Sequence, residues 1–265
     1  MKVITWNIRK AKENSLVWQI LESHDADIIL LQEVLRIPEH IRSSYTIVFR
    51  PAISESGKQQ IFGTAVLTKY SINHEIPLVS INEFVQQELD FFKGNLIPVQ
   101  LITPNNQLIN VMSVYSPPWS VPSHHYDSFD IKDIKLTLNK RMWATEILHA
   151  FLKQQEFSLD TNWIVGGDFN SSETFDYLWP GGPHGNLEII ERLEFLGLKE
   201  CLRHFKTELV PTFRNSKGGK IIHQLDHMYT SSSLIENLIH CKTEEHDLIF
   251  GNKLSDHLPI ISTFN

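Results

Sequence analysis

The sequence predicts an α/β fold built on two sheets of mixed strand direction, and three observations lead there. Short apolar runs rich in β-branched residues, such as Val3–Trp6, Ile28–Leu31 and Trp163–Val165, alternate with helix-like patterns. Residues 96–103 and 108–116 flank Pro104-Asn105-Asn106, a hairpin signal, and strands joined by so short a loop run antiparallel. The strand-like runs are also too many for one sheet.

Taken in order, residues 2–8 form the first strand. Asn14 then reads as the N-cap of a helix with Leu16, Val17, Ile20 and Leu21 on one face. Asp25-Ala26-Asp27 ends it, and Ile28 to Val34 is a buried strand. Further strands are expected at 45–50, 62–69 and 72–79, with the polar stretch Ser54–Lys58 as a loop. Pro117-Pro118 stops the strand at 108–116. A long helix is expected from about Asp133 to Gln155, burying Trp143, Ile147, Leu148, Phe151 and Leu152, with Lys132, Lys135, Lys140 and Arg141 as a basic side. A strand at 162–169, a helix at 187–196 ended by Gly197, and strands at 211–214, 222–229 and 257–264 complete the chain. No composition shift or low-complexity tract marks a boundary, so a single domain over 1–265 is expected.

The chain has 265 residues, 42% of them hydrophobic and 21% charged, which is ample for a large core. No apolar run approaches the roughly 18–20 residues of a membrane span. Met1-Lys2 leads straight into a strand-like run, and a cytoplasmic protein is expected, without membrane insertion. Two cysteines, Cys201 and Cys241, are too few for a structural zinc site and read as reduced thiols, buried or half-buried. The net charge of −7 gives no global electrostatic footprint for nucleic acid. A bound divalent cation and a local basic rim can nevertheless hold phosphate on an acidic protein.

Polar residues recur where apolar runs stop. Asn7 follows Val3–Trp6, Glu33 follows Ile28–Gln32, and Tyr115 follows Ile109–Val114. Gly166-Gly167 leads into Asp168-Phe169-Asn170, and Leu225-Asp226-His227 and Ser255-Asp256-His257 come later. Strands that deliver such side chains at their ends build active sites at sheet edges. Hard oxygen donors with an imidazole suit Mg²⁺ or Mn²⁺ and a phosphate substrate.

Together these motifs resemble the endonuclease/exonuclease/phosphatase superfamily of deoxyribonuclease-like phosphoesterases. The matched pieces are Thr5-Trp6-Asn7, Leu31-Gln32-Glu33, Val114-Tyr115-Ser116-Pro117, Gly167-Asp168-Phe169-Asn170, Leu225-Asp226-His227 and Ser255-Asp256-His257, in the family's order. The resemblance implies a four-layer α/β/β/α sandwich of two mixed, mostly antiparallel sheets flanked by helices. It implies that Asn7, Glu33 and Asp256 lie on or near a Mg²⁺ or Mn²⁺ ion. It further implies that Asp168 orients and deprotonates the attacking water, and that Asn170 holds Asp168 or a phosphate oxygen in place. His257 would then donate to a phosphate oxygen, Asp226 would fix its ring, and Tyr115 would contact the phosphate or leaving oxygen.

Outside the shared pattern, Arg9, Lys10 and Lys12 read as phosphate ligands or as a solvated loop. Trp179, opening the stiff turn to Gly185, reads as a stacking surface or as packing. His227 stands where relatives often carry an aromatic residue. Tyr115-Ser116-Pro117-Pro118 looks like the AP-endonuclease and retroelement-endonuclease branches, while the body of the chain resembles uncharacterised bacterial members. A nuclease acting on DNA rather than RNA is therefore expected, with hydrolysis of a small or lipid-headgroup phosphoester as the alternative. The loops at 52–61, 84–95, 117–131 and 176–186 are expected to set substrate choice.

Overall fold

A computed structural model describes residues 1–155, 162–178, 182–206, 208–215 and 219–265. Its first strands are β1 (Lys2–Asn7), β2 (Ile28–Val34), β3 (Thr46–Ile53), β4 (Gln59–Thr68) and β5 (Ser71–Glu75). The hairpin is β6 (Leu96–Ile102) and β7 (Leu108–Tyr115), followed by β8 (Trp163–Asp168) and β9 (Leu198–Glu200). Next come β10 (Phe213–Arg214), β11 (Ile221–His223), β12 (Asp226–Ser231), β13 (Leu238–Thr243) and β14 (Ile260–Phe264). The helices are α1 (Leu16–His24), α2 (Glu39–Arg42), α3 (Glu83–Phe91), α4 (Ala144–Leu152), α5 (Glu173–Leu178), α6 (Asn186–Phe195), α7 (Cys201–Phe205) and α8 (Ser232–Ile235).

One six-stranded sheet has the order β13-β14-β1-β2-β4-β3, and the other β5-β6-β7-β8-β12-β9. Only β1–β2 and β7–β8 pair in parallel, so both sheets are mixed and mostly antiparallel. Strand alternation divides the apolar residues between layers. Val3, Ile28 and Leu30 face Val99, Val111 and Ile164 between the sheets. Ile4, Trp6 and Leu31 turn outward onto Val17, Trp18 and Leu21 of α1. Met112, Val114 and Val165 turn the other way onto Phe84 and Leu89 of α3 and Ile147 and Phe151 of α4. The expected four-layer sandwich is therefore the observed one. Cys201 and Cys241 are both free thiols buried in the intersheet core.

Several expected elements change. The cap of α1 is Ser15, not Asn14, because the Ser15 hydroxyl accepts the Val17 N–H. The strand expected at 72–79 stops at Glu75. Pro77, which has no N–H, follows shortly after. Helix α3 was not anticipated, although Asn82 caps it and Phe84, Val85 and Leu89 have helical spacing. The strands expected at 211–214 and 257–264 shorten, and that at 222–229 divides into β11 and the start of β12.

The largest correction is the helix expected over 133–155, of which only Ala144–Leu152 forms. Tertiary acceptors capture the N–H groups that a longer helix would use. Glu146 accepts from Leu136 N and Trp143 N, each at 2.6 Å, and Glu188 accepts from the Thr137 N–H and hydroxyl. The expected basic helical side therefore does not exist. Lys140 and Arg141 lie instead in a turn locked by Arg141 N donating to Asn139 Oδ1 at 3.0 Å.

Within α4, His149 is buried with no hydrogen-bond partner on Nδ1 among the described residues. Burial, together with Arg192 and Lys153, pushes its imidazole down to about 4. The folded chain then resists the proton that the unfolded chain accepts near pH 6.5. This contribution to stability is complete above pH 6.5 and is lost as pH falls through the window toward 4. Urea unfolding at pH 7 and pH 5 should show His149 costing about 2 kcal/mol at the lower pH. The His149→Leu variant should lose that part of the pH dependence, and an unchanged slope would refute the assignment.

Candidate active site

The site forms where the ends of four central strands meet. Tyr115 ends β7 and pairs with Asp168 at the end of β8, which pairs with Asp226 at the start of β12. Asn7 ends β1 opposite Gln32 of β2. Gln32 Nε2 reaches across the sandwich to Ser113 Oγ at 3.0 Å, tying the two sheets beneath the site.

Glycines set the closeness of this region. A Cβ on Gly166 would lie 3.1 Å from Leu30 Cδ1 of the other sheet, and one on Gly167 only 1.8 Å from the Val114 carbonyl oxygen. Gly167→Ala should therefore destabilise the protein by about 3 kcal/mol. A denaturation midpoint unchanged from that of the wild type would contradict this packing.

Backbone strain is concentrated at the same place. Arg9, Lys10, Glu33 and Asn170 all have positive φ, at 45°, 58°, 53° and 47°. Such angles are uncommon in residues other than glycine and often mark functional sites. The register of β2 against β4 shifts between Leu31 and Val34, so a bulge re-aims Glu33 at the strand end.

Asp168 is 1% exposed and accepts three hydrogen bonds. Asn7 Nδ2 and Asn170 Nδ2 donate to Oδ2 at 3.0 and 3.1 Å, and Asn170 N donates to Oδ1 at 3.0 Å. Asn170 Nδ2 also donates to the Ser116 carbonyl, which locks its side chain. His257 Nε2 stands 3.9 Å from Asp168 Oδ2, while Nδ1 is 2.8 Å from Asp226 Oδ2. Burial alone would push the His257 imidazole down, but Asp226 and Asp168 outweigh it and the net shift is upward. Burial pushes the Asp168 carboxyl up, against the opposing pull of His257 and the amide donors.

Ligand atoms of Asp168, Asp226 and His257 lie within 4.8 Å of one another, so this cluster offers either a metal site or an imidazolium between two carboxylates.

Glu33 and Asp256 occupy the rim, with side chains 18% and 20% exposed. Lys10 Nζ is 3.5 Å from Glu33 Oε2, and Arg9 Nε is 3.4 Å from Asp256 Oδ2. Tyr115 OH donates to Glu33 Oε1 at 3.3 Å, and burial first, then Glu33 and Asp168, push the phenol upward and keep it protonated. Asn7 Oδ1 accepts the Arg9 N–H at 3.0 Å. Each of these two partly exposed carboxylates is countered by a surface cation, and carboxylate oxygen is the donor type that Mg²⁺ or Mn²⁺ takes.

Other expected residues take definite places. His227 is buried between Phe169 and Tyr229, with Nε2 3.0 Å from the Ser171 carbonyl, so it supports the loop after Asn170 from below. Burial pushes its ring down to about 4, and the neutral Nε2–H is the donor to Ser171. Trp179 lies outside the described residues. Of the expected substrate loops, 84–95 is largely α3 beneath the second sheet.

Further residues support these side chains. Ser255 Oγ donates to Asn7 O at 2.7 Å and accepts the His257 N–H at 3.1 Å. Thr212 Oγ1 accepts the N–H groups of Leu225 and Asp226. Phe213 packs against the His257 ring at 4.9 Å between centroids, and Trp6 Nε1 donates to His257 O. Ser255 belongs to the Ser255-Asp256-His257 motif, whereas Thr212 and Phe213 carry no local signal.

Residues 4–257 match the model of the Endonuclease/Exonuclease/phosphatase family. The chain belongs to this family. Its members are phosphoric ester hydrolases, and this chain is one of them. No curated protein matches the sequence. Among solved structures, an AP endonuclease from Archaeoglobus fulgidus is similar at 20% identity and a TM-score of 0.71, over 100% of this chain and 99% of that one. The 3′ phosphatase NExo from Neisseria, bound to a product DNA hairpin, is 17% identical with a TM-score of 0.66, over 100% and 99% of the two chains. An AP endonuclease from Leishmania major is 16% identical with a TM-score of 0.64, covering 98% of this chain and 86% of its own. These likenesses bear on the fold.

Proposed function

We propose that this family member is a divalent-metal-dependent phosphodiesterase that hydrolyses phosphodiester bonds in DNA. The observation that carries the reading is the buried array Asn7–Asp168–His257–Asp226 beside the accessible carboxylates Glu33 and Asp256. DNA as the substrate draws support from the Tyr115-Ser116-Pro117-Pro118 context and from the solved relatives, two AP endonucleases and an enzyme holding a DNA hairpin.

In this reading Asp168 takes the proton of the attacking water, its acceptor oxygens aimed by Asn7 and Asn170. His257, kept cationic by Asp226, donates from Nε2 to a non-bridging phosphate oxygen, where charge grows during displacement. Tyr115, protonated throughout, offers its hydroxyl to the phosphate or leaving oxygen. Glu33, Asp256 and the Asn7 amide oxygen would hold the metal, which supplies charge neutralisation of the phosphate and leaving oxygen. Arg9 and Lys10, released from the carboxylates, would turn to flanking phosphates.

Incubation with Mg²⁺ or Mn²⁺ and a panel of duplex, abasic, single-stranded and RNA oligonucleotides tests the reading, with small phosphoesters alongside. Cleavage of DNA that is lost in Asp168→Asn is the expected result. Turnover of a small phosphoester with every polymer intact would overturn DNA as the substrate.

A further inference from the structure

Where β7 leaves its partner strand, one buried side chain takes over the pairing. The last ladder pair of β6 and β7 is Leu96 with Val114, which puts Asn95 opposite Tyr115. A hydrogen-bonded antiparallel pair exchanges two backbone hydrogen bonds. The first is made, from Tyr115 N to Asn95 O at 2.8 Å. The second is blocked, because the Asn95 N–H already donates to Phe92 O at the end of α3, at 2.7 Å. Asn95 Nδ2 fills the gap and donates to Tyr115 O at 3.0 Å. One residue thus holds both backbone polar groups of Tyr115.

The same side chain reaches the other sheet. Asn95 Oδ1 accepts the Ile53 N–H at 3.0 Å, at the end of β3 where its pairing with β4 shifts register. Neighbouring Gly94 shows how closely the chains pass: a Cβ there would lie 1.8 Å from the Pro51 carbonyl oxygen. Asn95 is fully buried, so each of its polar atoms needs a partner within the protein. The position asks for a short side chain with an acceptor for Ile53 and a donor for Tyr115. An ionised Asp lacks the donor, and Ala lacks both.

The Tyr115 ring is held at the same corner. It forms a buried cluster with Ala52 and Phe62, and the Phe62 ring meets it edge-on at 5.9 Å and 82°. The Tyr115 hydroxyl then donates to Glu33 Oε1 at 3.3 Å. Tyr115 belongs to one sheet and Glu33 to the other, so their approach depends on how the sheets are joined. The bond from Gln32 to Ser113 joins them beneath the site, and Asn95 joins them beside Tyr115.

We propose that Asn95 is a positioning residue for phosphoester hydrolysis, fixing the Tyr115 backbone to β3 so that the Tyr115 hydroxyl meets Glu33 and the reacting phosphate. It acts through Tyr115 and touches no substrate itself. The inference rests on the reading of the Tyr115 hydroxyl as a donor to the phosphate or leaving oxygen. A misplacement of 1 Å costs about 100-fold in rate. Tyr115 keeps its β7 ladder and Phe62 when the amide is lost, so a smaller loss is expected.

The first experiment is a double-mutant cycle on the full chain with Mg²⁺ and the cleaved substrate. Asn95→Ala should lower kcat by about tenfold and leave KM within about twofold. In a Tyr115→Phe background the same change should alter kcat by less than about twofold, because the group it positions is gone. An equal loss in both backgrounds, or no loss in the first, would overturn the inference. Asn95→Asp guards against a folding defect, since it keeps the shape and the acceptor for Ile53. Its carboxyl, protonated in acid, can donate to Tyr115 O, and it loses that donor on ionising. The variant's kcat should therefore fall with rising pH relative to the wild type, and a constant ratio would count against the clamp.

The second experiment needs no turnover. Aromatic NMR of the Asn95→Ala chain should show the Tyr115 ring resonances displaced and those of Tyr229 in place, with Tyr115→Phe giving the assignment. Unmoved Tyr115 resonances would overturn the inference on their own. Full activity of Tyr115→Phe, with the ring displaced in Asn95→Ala, would instead defeat the catalytic reading of Tyr115.

Discussion

Replacing Asp168 by Asn is expected to lower kcat on the cleaved substrate by about 10⁴-fold, the upper range for a positioned acid–base group. The amide keeps the shape of the carboxylate but cannot accept a proton from water. Its NH₂ would also face donors, because Asn7 Nδ2 and Asn170 Nδ2 both point at Oδ2 and Asn170 N at Oδ1. The negative charge 3.9 Å from His257 Nε2 disappears with the substitution. Single-turnover rates at saturating metal, with a circular dichroism spectrum matching the wild type, isolate the chemical step. A variant within tenfold of the wild type would remove Asp168 from the role of base and leave the water to another group.

Glu33→Gln carries the second large effect, and its first readout is metal binding. Glu33 is one of two accessible carboxylates at the rim, and Mg²⁺ sites use few protein carboxylates, so one lost charge is a large share of the total. Mn²⁺ affinity should fall by at least about 100-fold, since disturbing even an outer partner of a ligand costs 10–100-fold. Calorimetric titration with Mn²⁺ measures this without turnover. The backbone at Glu33 is already held at φ 53° by the bulge in β2, and Gln adopts the same conformation at similar cost, so folding should be little affected. Unchanged Mn²⁺ affinity would move the metal elsewhere, with the Asp168, Asp226 and His257 cluster as the first place to look.

The two substitutions separate the proposed parts of the site. The first should remove proton transfer while metal binding persists; the second should remove metal binding while Asp168 keeps its amide donors. A pair of variants that lost both functions equally would indicate that the two groups serve a single role.

Much of this architecture is written locally in the chain. Near-continuous apolar runs at Val3–Trp6 and Ile28–Leu31 mark central strands because each side of a buried strand must find apolar neighbours. The hairpin at 104–106 fixes the antiparallel β6–β7 pair, since so short a loop permits nothing else. Asn7, Glu33, Tyr115, Asp168 and Asp226 were legible as polar residues ending or starting apolar runs. Alignment of strand ends then brings Tyr115, Asp168 and Asp226 level in one sheet, with Asn7 across from them.

Other features depend on contacts that no local pattern encodes. The segment 133–143 has helix-forming composition, yet Glu146, Glu188 and Arg192 capture its backbone groups from distant positions. Thr212 and Phe213 are recognisable only once their partners Asp226 and His257 are in place. His227, ambiguous in the sequence, is a buried prop beneath Ser171 because the turn after Asn170 passes over it. The sequence by itself determined the central strands, their division between two sheets and the polar residues at strand ends, because those follow from local apolar runs and short connections. Only the tertiary structure decided which cations face Glu33 and Asp256, what steadies His257 and the path of the 133–143 segment, because each depends on groups far apart in the chain competing for the same hydrogen bonds and charges.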